Sequence, residues 1–259
     1  MMECGATGIA VAGIGTGTLA VVPLVDWLID DHGWRYAYRV LAVGAAVMLA
    51  VAAIGAHRPP GSAETPMPVR DAIRGRVDFR LLYGSTVFFT IALFMPFVFM
   101  ADYIDTTGAT GSAAVLVGLI GMASIVGRLG FGALAGRFGL LLLYRLSFVG
   151  LAASFLLWMV ADTSYVMLIV FASVLGVSYG GFISLSPAMV AELFGTVGMG
   201  GLLGALYTAA GVGGLVGPPL LGAIIDASGH TAAQWTALAS GAVAVAFLFA
   251  MKSPAPSGT

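Results

Sequence analysis

Charged side chains make up only 9% of the 259 residues, against 59% that are hydrophobic. Water-soluble domains carry about 25% charged residues, so a chain this poor in them cannot cover a water-facing surface. The sequence therefore reads as that of an integral membrane protein, with the lipid bilayer as its first partner. A formal net charge of -1 gives no sign of a nucleic-acid partner, and none is expected. Cysteine is equally scarce: Cys4 alone excludes an internal disulfide or a cysteine-based metal site. His32, His57 and His230 each stand alone beside a helix end. Metal sites need several converging ligands, so neither a metal nor a cofactor is expected. Alternating strand patterns are missing too, which argues against a β-barrel. Met1–Gly5 lacks a positive n-region, and the apolar run that follows is too long for the h-region of a cleavable signal.

That run is read as the first of eight spans, near 6–28, 35–56, 79–103, 112–135, 140–161, 164–190, 198–225 and 233–251. About 20 apolar residues suffice to cross a bilayer as a helix. The expected fold is all-α, a polytopic membrane bundle of eight transmembrane helices. A polar stretch rich in Pro and Arg divides it, giving two helices in 1–57, a linker at 58–78, a six-helix bundle at 79–252 and a tail at 253–259. Arg58, Arg70, Arg74, Arg76 and Arg80 cluster in or beside the linker, which the positive-inside rule assigns to the cytoplasm. Counting outward, the turns with Arg137 and Arg145 and the tail with Lys252 fall on the same side. Asp30, Asp31, Asp105 and Asp162 fall on the other. Both termini are thus expected in the cytoplasm, in a plasma (inner) membrane protein. Arg35 and Arg39 depart from the pattern, either snorkelling or pairing with Asp30 or Asp31.

Glycine occurs 37 times, much of it inside the spans. Pairs four apart recur: Gly13 and Gly17, Ala114 and Gly118, Ala123 and Gly127, Gly200 and Gly204, Gly213 and Gly217. Such spacing lets helices approach closely in lipid, and ordinary bundle packing is the expectation here. Pro96, Pro187, Pro218 and Pro219 are expected to break or bend their spans.

One arginine lies deep in an apolar run. Arg128 occurs within Gly111–Gly139, and a guanidinium near the centre of a spanning helix costs about 2.5–3.5 kcal/mol or more. Two readings stand side by side. Arg128 binds an anionic substrate, or it lies about 26 Å along the helix from Gly111 and snorkels to the inner edge of the bilayer. Two motif matches carry no enzyme. Gly176–Gly180 fits G-x-S-x-G, but a nucleophile elbow needs a strand-to-helix turn and this is an apolar helix. Gly13–Gly17 lacks the preceding strand and final spacing of a dinucleotide loop.

Several stretches carry a family likeness. ATGIAVAG at 6–13, GWR at 33–35, PFVFMADY at 96–103, Gly127-Arg128-Leu129 with the basic turn after it, and GPPLLG at 217–222 resemble major facilitator superfamily transporters. Within that superfamily the chain resembles the monocarboxylate porters, from their fifth helix to their twelfth. The resemblance implies helices one to four lying outside this sequence, supplied by a missing N-terminal half or a second copy.

It also implies a site. Arg128 matches the family's carboxylate-binding arginine, and Ser124 stands where an acidic or amide residue precedes it by one turn. A planar guanidinium fork suits a carboxylate, whereas serine cannot take up a proton as an aspartate could. Tyr179 falls where the family has a pocket aromatic; Phe94, Phe97 and Tyr207 are weaker candidates for apolar lining. Asp102 reads as a solvated helix-end charge. Gly132, Arg137 and Gly139 resemble the superfamily's gating loop, with Gly136 where an aspartate is usual. The implied function is non-enzymatic: secondary transport of small organic anions, namely monocarboxylates, with proton coupling. A drug or metabolite exporter of the same superfamily and a non-transporting, truncated remnant stay open as alternatives.

Overall fold

The computed structural model describes residues 21, 24, 25, 27–55, 76–195 and 198–251. The expected span at 6–28 lies almost wholly outside these, as do the tail at 253–259 and most of the linker. Six helices are delimited: α1 Trp34–Gly55, α2 Val77–Thr107, α3 Ala113–Phe138, α4 Leu140–Ala161, α5 Tyr165–Phe194 and α6 Met199–Ala250. Each is long and apolar enough to cross a membrane. Residues 27–32 are also helical, and there is no strand among the described residues. The architecture is an all-α membrane helix bundle.

α6 is two helices in tandem. Gly229 interrupts it at φ 81° and ψ 173°, a backbone region open in practice only to glycine. The expected spans at 198–225 and 233–251 are its two arms. Of the prolines expected to break or bend their spans, none ends a helix. Pro218 and Pro219 lie inside the first arm of α6, Pro96 inside α2, and Pro187 inside α5, which runs on to Phe194. Proline removes one backbone donor, and a bundle tolerates that where other helices re-satisfy the freed carbonyl. Pro96 is buried in such packing.

Aromatic rings tie α2, α4 and α5 together. Phe89 of α2 lies 4.4 Å from Phe148 of α4 and 4.5 Å from Phe182 of α5, centroid to centroid. Elsewhere close backbone approach does the joining. A methyl group on Gly213 of α6 would collide with Thr90 of α2, and one on Gly217 would press on the Ile91 backbone. Likewise Gly127 of α3 lies against the Val177 carbonyl of α5, and Gly180 of α5 against the Ser124 carbonyl of α3. Of the spacings noted in the sequence, Ala123/Gly127 and Gly213/Gly217 thus form helix–helix contacts. Gly118, Gly200 and Gly204 face open space, and Gly13/Gly17 lies outside the described residues.

α1 differs in burial. Val43, Met48, Leu49 and Ile54 are all exposed along it. The Arg35 guanidinium lies 4.3 Å from the Trp34 ring centroid, while Asp31 meets His32 at 3.4 Å. Of the two readings of Arg35, snorkelling or pairing with Asp30 or Asp31, the pairing gives way to a cation–π contact with Trp34.

Candidate functional site

α3 starts at Ser112, whose side chain accepts a hydrogen bond from the Val115 N–H and so satisfies one of the orphan donors of the first turn. From Ala113, the first residue of α3, Arg128 lies about 22 Å along the helix, and about 15 Å before its C-terminal end. That is well inside the thickness of a ~30 Å hydrocarbon core. Its side chain is 1% exposed, so the guanidinium lies within the bundle and does not reach out along the lipid-facing surface. Its Cζ is 5.9 Å from the centroid of the Tyr179 ring on α5, within cation–π range. Phe97 of α2 meets the same ring edge-on at 6.3 Å. Three helices therefore converge on one arginine and one tyrosine. They can do so because the Gly127 and Gly180 contacts bring the α3 and α5 backbones together at this level.

Ser124 lies one turn before Arg128 on the same face and is fully buried. Its hydroxyl donates to the Gly121 carbonyl at 2.6 Å, which leaves only oxygen lone pairs to offer a neighbour. Tyr207 of α6 is 40% exposed. Phe94 is half-buried and packs against Gly214 of α6.

The stretch expected as a gating loop is mostly helix. α3 continues through Gly132 and Arg137 to Phe138, and Gly139 alone, at φ 90°, joins it to α4. Arg137 is exposed, its Cζ 5.6 Å from the Phe138 ring. Leu, Ala, Arg and Phe are all compatible with a helix, and the chain reserves its turn for the one glycine with a left-handed φ. At the same end, Arg145 of α4 donates three hydrogen bonds, two to the Leu248 carbonyl and one to that of Met251, at 2.9–3.1 Å. It thereby satisfies the carbonyls orphaned at the end of α6.

Two residues that the sequence reading treats separately meet at the opposite end. His230 Nε2 is 3.0 Å from Asp102 Oδ2, so His230 does not stand alone and Asp102 is not simply a solvated helix-end charge. Nothing local signals a contact between positions 128 residues apart. Ser178, the would-be nucleophile of G-x-S-x-G, lies buried mid-way along α5 with no strand before it.

A family model described as Major Facilitator Superfamily matches residues 4–161 and 83–259. The chain belongs to the major facilitator superfamily. Among curated relatives it is similar to an MFS transporter, asaE, of Aspergillus flavus, 30% identical over 231 residues, which cover 86% of this chain and 52% of that protein. Monocarboxylate transporter 13 of Rattus norvegicus is 30% identical over 262 residues, 95% of this chain and 57% of the relative. Monocarboxylate transporter 12 of the same species is 29% identical over 272 residues, 88% and 55% respectively. The chain thus spans about half the length of the curated relatives it matches. Membership makes it a multi-pass membrane protein of a transporter superfamily, and the arginine–tyrosine pair lies in the bundle formed by α2–α6.

Proposed function

We propose that this chain takes part in secondary transport of small organic anions, monocarboxylates in particular, with Arg128 holding the substrate carboxylate. The observation that carries the reading is the buried guanidinium at mid-depth of α3, set against an aromatic ring. A charge so placed attracts an anion strongly, because little water screens it, and its fork donates two parallel hydrogen bonds to a carboxylate. Tyr179 and Phe97 supply the apolar wall that a short hydrocarbon tail needs. Ser124 offers an acceptor one turn away, for a hydroxyl on the substrate. Two of the relatives above are named monocarboxylate transporters, which agrees with this chemistry.

Charge supports an orientation. Arg76 lies over the Phe194 ring at the end of α5, and Arg145 holds the end of α6, so these arginines gather at one end of the bundle with Arg137. Asp102, Asp162 and His230 lie at the other. By the positive-inside rule the arginine end faces the cytoplasm, and the chain sits in the plasma (inner) membrane with both termini on that side. A pathway at the bilayer midplane lies between two helical bodies that rock against each other. The second body is then a further half or another copy of this chain. Movement is driven by a proton gradient, with Gly132, Arg137 and Gly139 at the moving inner end.

The test is uptake of a radiolabelled short-chain monocarboxylate into proteoliposomes. Arg128→Ala should lower it by about 10–100-fold, the worth of a charge-assisted hydrogen bond, with insertion unchanged. Uptake equal to that of the unsubstituted chain rejects the carboxylate role. Export of uncharged drugs that ignores Arg128→Ala favours the exporter alternative.

A further inference from the structure

Glycine brings α3 to α5, and α6 to α2, until little separates their backbones. Between α2 and α5 no glycine does so among the described residues, and aromatic rings span the gap. Phe79 meets Phe194 at 5.6 Å, Phe89 meets Phe182 at 4.5 Å, and Phe97 meets Tyr179 at 6.3 Å, centroid to centroid. The three contacts differ in freedom. Phe79 and Phe89 are wholly buried and Phe182 nearly so, whereas Phe97 and Tyr179 are both half-buried. The phenylalanines on either side of Phe97 are taken up by α6, for Phe94 packs over Gly214 and Phe99 over Gly222. Just before Phe97, Pro96 has no N–H to give the Ala92 carbonyl. One hydrogen bond fewer therefore holds this turn of α2.

We propose that Phe97 sets the length of carbon chain that the site at Arg128 accepts. A carboxylate held on the guanidinium lays its tail against Tyr179, whose ring centroid is 5.9 Å from the arginine Cζ. Phe97, edge-on to the same ring, closes the α2 side. A tail of a few carbons is buried between the two rings and gains about fourfold in affinity per methylene. A longer tail meets Phe97 and must turn it aside, and the edge-to-face contact with Tyr179 is then lost. Parting α2 from α5 gives no second way to make room. The Phe89 and Phe182 rings fill that seam deeper in the bundle, where close-packed side chains resist displacement, and on its other flank α5 is pressed against α3 at Gly180. Discrimination by length therefore falls to one half-buried side chain. The proposal rests on the monocarboxylate reading and deepens it: beyond the negative charge, the site measures a short, apolar tail.

The experiment uses the full chain in detergent micelles and the straight-chain acids from acetate to hexanoate. The rise in melting temperature with each acid gives its apparent affinity. In the unsubstituted chain affinity should climb by about fourfold per methylene and then fall at one length. Phe97→Ala should move that fall to longer acids, and Phe97→Trp to shorter ones, so either variant alone carries the test. Phe89→Leu, in the buried contact, should lower the melting temperature of the ligand-free chain and leave the fall where it was. A fall that keeps its place in both Phe97 variants overturns the proposal. So does one that Phe89→Leu displaces as far as Phe97→Ala, and so does a steady climb through hexanoate. Arg128→Ala separates this outcome from the reading beneath it. If that variant loses stabilisation by every acid while the Phe97 variants keep the original order, the carboxylate role stands and the role in chain length is lost. If no acid stabilises the unsubstituted chain, both are lost.

Discussion

Gly180 lies directly against the Ser124 carbonyl, and a methyl group there would also meet the backbone N of Arg128. Two helices are in backbone contact at the level of the guanidinium. Gly180→Ala should therefore push α5 from α3, costing about 1–3 kcal/mol through overpacking. The loss would appear in a thermal melt in detergent, with Gly127→Ala giving a similar result. Gly118→Ala, which meets nothing, should be neutral or slightly stabilising, since alanine is the better helix former.

Tyr179 offers Arg128 a ring face as well as a wall. Tyr179→Phe keeps the ring and should change uptake of a monocarboxylate by less than about threefold. Tyr179→Ala removes an interaction worth up to about 2 kcal/mol when desolvated and should lower uptake by roughly tenfold or more. Kinetics of labelled-substrate uptake separate the two.

Arg145→Ala strips three hydrogen bonds from the last carbonyls of α6. With charged donors involved, a loss of about 2–3 kcal/mol is expected. Hydrogen exchange should rise over 245–251 and stay unchanged in α3. Arg145→Lys should recover only part, because an ammonium cannot reproduce the fork.

Gly229→Ala would force a side chain into a conformation that only glycine adopts readily. Strain of about 1–3 kcal/mol is expected, again read as a lower melting temperature. Pro218→Ala, inside a continuous helix, should cost nothing of the kind.

The helices were legible because a bilayer-length apolar run leaves a strong imprint: α4 spans Leu140–Ala161, the very limits that hydropathy suggests. The burial of Arg128 was half legible. Its isolation in an apolar helix marked it, but which way the side chain points depends on the face turned toward α5. Breaking power in water is not breaking power inside a bundle, so no proline ends its helix, and the break in α6 came from a glycine torsion that composition does not encode. The stretch at 132–139 resembles a loop in sequence yet stays helical as far as Phe138, because only Gly139 leaves the helix. His230 with Asp102 was invisible, since hinge and helix end meet only once the whole bundle has closed.

Gly139 is all that separates α3 from α4, and a single residue spans no more than about 7 Å from one flanking Cα to the other. There is no slack in such a joint. If α3 travels along the membrane normal to present or withdraw its cation, α4 is towed with it, and Arg145 drags the closing carbonyls of the final helix. Motion that starts beside the cargo is thereby delivered to the far end of the chain.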